Sequence, residues 1–272
     1  MALAWLASYP KSGNTWTRIL LASYLRDRQV ELRMAQLGRL DDAVPDLVNV
    51  LRTGRMLPVD QAQPLTVKTH FLPGLSIHRP YRDATTKVIY LVRDPRDVIP
   101  SAERMLHVSP DKRSAYAKHF IDNRGLVPWQ RMGYGLWTES VREWTSPERL
   151  RQYFPNAELL VVRYEDLKQD TVGSLHKIVD FLGFDSEIDA DRLARAVQNS
   201  TLDRMRDAER RDDSLSHREL KPFFGQGLSG QSLSGYGEDI EEAYQRLLRE
   251  DEEFRGLAGQ YGYAHQPATQ GR

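Results

Sequence analysis

The chain has 272 residues, enough to bury one sizeable core as a large single domain or as two merged lobes. Basic and acidic residues both number 38, so no global field draws the protein to nucleic acid or to an anionic membrane, while a local basic pocket remains compatible with the balance. There is no cysteine, which excludes disulfides, thiol nucleophiles and thiolate metal sites and fits a cytoplasmic protein.

In chain order, the N-terminus lacks a basic leader, and its apolar stretch breaks at Tyr9-Pro10-Lys11, so it reads as a strand rather than a signal peptide. No apolar run approaches the length of a membrane span. Leu3–Ser8, Lys87–Val92 and Glu158–Arg163 read as buried strands, with Leu65–Thr69 a weaker fourth. Each is followed by helical sequence, and that alternation predicts a parallel sheet with helices on both faces. The first helix, Asn14 to Asp27, sets Trp16, Leu20 and Tyr24 on one face. Pro95 suits the first turn of a second helix, in which Pro100 predicts a kink or irregularity. Thr171 to Leu182 is amphipathic and stops at Gly183, a C-cap signal. The stretch from Ala208 to Gly237, rich in Arg, Asp, Ser and Gly, reads as a long loop of functional type. A charged helix from about Glu238 to Phe254 follows. The domain is expected to span residues 1–262, with 263–272 a polar tail.

Three segments carry chemistry. Tyr9-Pro10-Lys11-Ser12-Gly13-Asn14-Thr15-Trp16 joins a strand to a helix, where unsatisfied N–H groups and the positive end of a helix dipole suit a phosphate. Gly13 lets the backbone approach a ligand, Lys11 adds a cation, and Ser12, Asn14 and Thr15 add polar side chains. The plainer alternative is a turn with Ser12 or Asn14 as helix N-cap. The order is not that of a Walker A loop, because the lysine precedes the glycine. Arg93 closes the next long strand and Ser101 lies eight residues on, a guanidinium and a hydroxyl fit to cradle a phosphate dianion. A surface ion pair of Arg93 with Asp94 is the bland reading. Lys68-Thr69-His70 ends the weaker strand; a lone histidine there is more often structural than catalytic.

The Tyr-Pro-Lys-Ser-Gly-Asn-Thr-Trp segment resembles the 5′-phosphosulfate loop of sulfotransferases that use 3′-phosphoadenosine-5′-phosphosulfate (PAPS). The commoner form has threonine at the position of Asn14. The Arg93…Ser101 spacing resembles the family's 3′-phosphate motif, and Lys68-Thr69-His70 its catalytic Lys-Thr-His. Tyr164-Glu165-Asp166 resembles a strand end whose tyrosine reaches the adenine, and Ser200 stands where a family Thr or Ser does so. Gly135-Leu136-Trp137 and Trp144 match a family helix, read here as core packing. The resemblance runs from about Leu3 to Gly230, and five motifs in order give it its weight.

That resemblance implies a single α/β domain, a central parallel sheet flanked by helices in a P-loop-like sulfotransferase fold. It implies sulfuryl transfer from PAPS, without a metal, to a hydroxyl or amine of a small-molecule acceptor: an alcohol, phenol, sugar or natural product. His70 would be the general base, Lys11 would stabilise the leaving group, and Lys68 would neutralise charge on the transferred group. The nucleotide would be bound by Lys11, Ser12, Gly13, Asn14, Thr15, Trp16, Arg93, Ser101, Tyr164, Ser200 and Gly227. One motif departs: where many members have Arg-Lys-Gly in a glycine-rich loop, this chain has Gly225-Gln226-Gly227, so both cations are absent. Backbone amides, Arg218 or Lys221 could serve instead. The acceptor pocket is expected from Leu32–Val59, Leu106–Met132 and 208–237. No nucleic-acid or membrane partner is expected, and a homodimer is left open. The rivals are a P-loop nucleotide kinase or phosphotransferase and a non-catalytic nucleotide-binding scaffold.

Overall fold

The structure, a computed structural model, describes residues 2–27, 38–59, 64–211, 224–225 and 227–264. Four parallel strands form one sheet in the order β2-β1-β3-β4, with β1 at Leu3–Ser8, β2 at Leu65–Thr69, β3 at Thr85–Val92 and β4 at Glu158–Arg163. The strands β1, β2 and β4 match the sequence reading. β3 begins two residues earlier than expected because Thr85 pairs with Leu3 at an irregular start.

Alternation along β1 splits the core into two layers. Leu3, Trp5 and Ala7 join Val88, Tyr90 and Val92 on one face, with Trp137, Trp144 and Phe254 packed over them. Ala4, Leu6, Ile89 and Leu91 face the other way, under Leu20, Leu21, Tyr24, Leu175 and Ile178. Helices therefore cover both faces, which is why the central strands read as continuous apolar runs.

The helix after β1, α1 (Asn14–Arg26), leads to two short helices, α2 (Gly38–Asp41) and α3 (Leu47–Arg52). Asp46 caps α3 by accepting from the Val48 N–H and bridges in parallel to Lys68, so this segment extends the β2 edge of the sheet. After β3, α4 (Pro95–Met105) opens with Pro95 at its first turn and Asp94 as N-cap. Pro100 does not end it; the helix continues through Ser101 to Met105.

Then come α5 (Arg113–Asn123), α6 (Val127–Arg131), α7 (Trp137–Thr145) and α8 (Pro147–Tyr153), all before β4. α9 (Tyr164–Gln169), α10 (Thr171–Leu182), α11 (Ala190–Asn199) and α12 (Leu202–Arg210) follow it. Gly183 ends α10 at φ 68°, as expected of a C-cap.

Two expectations need correction. The long loop does not begin at Ala208, since α12 runs to Arg210 behind a Thr201 cap. The charged C-terminal helix is two helices, α13 (Glu238–Glu250) and α14 (Glu252–Gln260), broken where Asp251 turns extended and caps the Phe254 N–H. Tyr263, which the sequence reading gave to the polar tail, is buried, and its hydroxyl donates to Glu165 at 2.6 Å. Arg218, Lys221, Gln226 and the 32–37 part of the expected acceptor wall lie outside the described residues.

Candidate active site

The sheet register brings the expected site residues to one edge. Ala7 pairs with Thr69, Ser8 with Leu91 and Val92 with Arg163, so Tyr9, His70, Arg93 and Tyr164 all step off the carboxyl ends of neighbouring strands. β2 lies on one side of β1 and β3 on the other, so the chain reverses direction across the sheet between β1 and β3. The crevice at such a switch point is where open α/β sheets hold ligands.

The loop after β1 is built by two left-handed residues, Lys11 at φ 71° and Gly13 at φ 92°. Gly13 is the N-cap of α1, and no side chain caps that helix, so neither Ser12 nor Asn14 fills that role. Glycine is required at 13 for a second reason: a Cβ there would lie 2.7 Å from the Tyr164 ring. The buried Ser12 Oγ and Asn14 Oδ1 have no hydrogen-bond partner. Asn14 spends its amide nitrogen inward, on the Leu6 carbonyl and Ser8 Oγ, each at 3.1 Å. It braces the turn beneath the loop rather than presenting a donor above it.

Lys11 is bound at both ends of the residue. Its carbonyl accepts from Arg93 Nη1 at 2.8 Å, while its Nζ lies 3.7 Å from Met105 Sδ at the end of α4. Burial, then the nearby Arg104 and Arg93, lower its pKa to about 8. The buried Arg93 also donates from Nη2 to the Leu228 carbonyl at 2.8 Å, and its guanidinium sits 4.1 Å over the Tyr164 ring. Its Nε is buried with no partner. Trp137 fixes the backbone here, its indole donating to the Arg93 carbonyl at 3.2 Å.

His70 is anchored to the same loop. Its Nδ1 lies 2.8 Å from the Ser8 carbonyl, which can only accept, so Nδ1 carries the hydrogen and Nε2 keeps a lone pair. Burial, reinforced by Lys68, lowers its pKa to about 3, so the imidazole is neutral at physiological pH. Lys68 itself is committed: Nζ donates to Asp46 Oδ2 at 2.8 Å. Asp46 also neighbours Arg18, whose guanidinium pairs with Asp41 at 2.7 Å. Burial pushes Asp46 upward, but Lys68 and Arg18 outweigh it and hold the carboxyl below its usual range.

The adenine-side residues divide. Trp16 meets Tyr164 edge-on at 6.1 Å, and its indole donates to the Ser200 carbonyl at 2.9 Å. The Ser200 hydroxyl, fully buried, is turned back onto Ala196. Gly227 adopts φ 64°, and a Cβ there would lie 3.7 Å from the Tyr164 hydroxyl. Ser101 is half-buried on α4 and Thr15 half-buried on α1; neither side chain has a hydrogen bond among the described residues.

Two functional carboxylates were missed in the sequence. Asp46 precedes an apolar run as an N-cap would, but its pairing with Lys68 is long-range. Asp97 is fully buried on α4 and accepts from the Gly230 N–H at 3.0 Å, the Gln231 N–H at 3.1 Å and Gln231 Nε2 at 3.1 Å. It ties the glycine-rich segment to the helix that follows Arg93. Among the described residues, no group of three or more His, Asp or Glu could hold a metal ion, and no helix is long and apolar enough to cross a membrane.

Residues 3–254 match the family model of the sulfotransferase domain. Sulfotransferase 2A6 of Rattus norvegicus is 28% identical over 254 residues, 90% of this chain and 82% of the relative. Sulfotransferase 1E1 of Mus musculus is 24% identical over 254 residues, 88% of this chain and 79% of the relative. The crystal structure of mouse sulfotransferase SULT7A1 complexed with PAP superposes with a TM-score of 0.56 at 21% identity, covering 97% of this chain and 90% of the mouse one. That likeness shows the fold.

Proposed function

The chain belongs to the sulfotransferase family, and from that premise we propose that it transfers a sulfuryl group from PAPS to a hydroxyl or amine of a small molecule. The observation that carries the mechanism is the 2.8 Å contact of His70 Nδ1 with the Ser8 carbonyl. It makes the base and the phosphate loop one rigid unit and leaves Nε2 as the basic nitrogen.

The crevice fits the donor. Ser12 Oγ and Arg93 Nε are buried polar atoms without partners, and the uncapped N-terminus of α1 adds backbone donors. The mouse structure with PAP supports the same class of nucleotide. When bound, PAPS supplies the sulfuryl group and a nucleotide leaving group. Lys11 would hold a positive charge where that leaving oxygen becomes anionic, stabilising the transition state more than the ground state. Arg93 and Ser101 would hold the 3′-phosphate, and Tyr164 with Trp16 would flank the base. His70 Nε2 would take the proton of the acceptor O–H or N–H as that atom bonds to sulfur. An anion beside Lys11 and Lys68 offsets the cations that depress His70 and so makes it a stronger base once the donor is in place.

In this reading Lys68 acts through its ion pair with Asp46, which fixes a cation next to His70. Gly227 serves by taking the left-handed φ of 64° beside Leu202 and the Tyr164 hydroxyl, a conformation that side chains rarely adopt. Ser200 serves through its carbonyl on Trp16, which orients the indole. A cytoplasmic setting agrees with the lack of cysteine. An alcohol, phenol, sugar or natural product is the acceptor class this chemistry allows.

The test is His70→Ala. Turnover should fall by about 10²- to 10⁴-fold, while calorimetric affinity for 3′-phosphoadenosine-5′-phosphate (PAP) stays within a few-fold. Turnover near that of the unmodified protein would remove His70 as the base.

A further inference from the structure

The glycine-rich segment lacks the two cations that its resemblance to the family leads one to expect at Gly225 and Gln226. A guanidinium from elsewhere stands at the first of these positions. A Cβ built on Gly225 would lie 2.4 Å from Arg104 Nη2 and 2.7 Å from Arg104 Cζ, so the helix side chain fills the space in which a residue-225 side chain would start. Gly225 is not in the left-handed region. Its backbone therefore does not demand glycine, and the space beside it is taken by the Arg104 guanidinium. Arg206 Nη2 donates to the Gly225 carbonyl at 2.6 Å and helps to hold the segment there.

Arg104 lies three residues beyond Ser101 on α4, on the same helix face. Arg93 stands at the other end of the strip, beneath the Leu228 carbonyl. Gly225 thus lies against Arg104 and Leu228 against Arg93, and Ser101 stands between the two arginines in sequence. Among the described residues, Arg104 has no hydrogen-bond or ion-pair partner, and a guanidinium presents five donors that match phosphate oxygens. The cation is close enough to Lys11 to lower that amine's pKa, ahead of Arg93 in size.

We propose that Arg104 is a donor-site residue: its guanidinium binds the 3′-phosphate of the nucleotide from the Gly225 side, in place of the cations absent from the loop. The inference rests on the PAPS reading above. It adds two residues of α4, Ser101 and Arg104, to Arg93 at the end of β3, and explains how this loop can be free of positive charge at Gly225.

The test is calorimetry on the full chain with PAP and with 5′-AMP, which lacks the 3′-phosphate. Arg104→Gln should weaken PAP about ten- to a hundredfold, the loss of a charged hydrogen-bond partner, and leave 5′-AMP within about twofold. Returning the cation to the loop, in the double variant Arg104→Ala with Gly225→Arg, should recover most of the PAP affinity. A merely structural role for Arg104 would not produce that rescue, and its absence would contradict a phosphate held between these positions. Equal losses for both nucleotides would place Arg104 at the 5′ end and overturn the assignment, as would no loss for either. Failure of the unmodified protein to bind PAP would instead overturn the donor reading itself.

Discussion

Lys11 joins the two parts proposed to hold phosphate through its two ends, its carbonyl on Arg93 and its ammonium near Arg104 and Met105. Its depressed pKa, about 8, has a direct consequence for donor binding. The ammonium is present below that value and lost as pH rises through it, whereas a bound anion favours the charged form. PAP affinity should fall above about pH 8, where the phosphates of PAP are already fully ionised, by up to about tenfold per pH unit. Lys11→Met should bind more weakly and lose that slope. Calorimetry from pH 6 to 9.5 measures both, and a flat profile for the unmodified protein would contradict the role. At this scale position was legible: Lys11, Gly13, Arg93, Tyr164 and His70 all follow the ends of strands, as motif order suggests. The partners of Asn14 and Lys68, Ser8 with Leu6 and Asp46, were not legible, because they are set by the turn of the chain and by sheet pairing.

Among the elements, α4 and the glycine-rich segment act as a pair. Asp97 receives two backbone N–H groups and the Gln231 amide, and the same segment places the Leu228 carbonyl on Arg93. Asp97→Ala leaves those donors without their acceptor, each a cost of about 1–3 kcal/mol if it stays buried, so the segment should detach before the sheet unfolds. Cleavage within residues 224–231 in limited proteolysis should accelerate markedly, and PAP affinity should drop about tenfold or more. Unchanged cleavage and affinity would show that the segment is held by other means. Sequence periodicity found β1, α1 and α10 with nearly correct ends because burial on one face imposes it. It missed the break between α13 and α14, since Asp251 reads as one more charge on a solvated face until the chain is seen to turn there. Arg124 pairs with that same Asp251 from across the fold.

For the whole molecule, one sheet and two apolar layers deliver the site. Parallel pairing aligns the carboxyl ends of all four strands, and the crossover from β2 past β1 to β3 opens the crevice beside the loop after β1 and Arg93. The fold class was readable because strands alternate with helices, and the donor chemistry because its cradle is made of contiguous motifs. The acceptor was not readable: the segments expected to wall its pocket lie far apart in sequence, with no shared pattern. The central claim is a crevice for a 3′,5′-phosphorylated adenosine. Titration of the unmodified protein and of Arg93→Ala with PAP, 5′-AMP and Mg-ATP tests it most directly. PAP should bind at micromolar affinity or tighter in a way that depends on the 3′-phosphate, with Arg93→Ala losing PAP affinity far more than 5′-AMP affinity. No binding of PAP, or a preference for Mg-ATP, would contradict it.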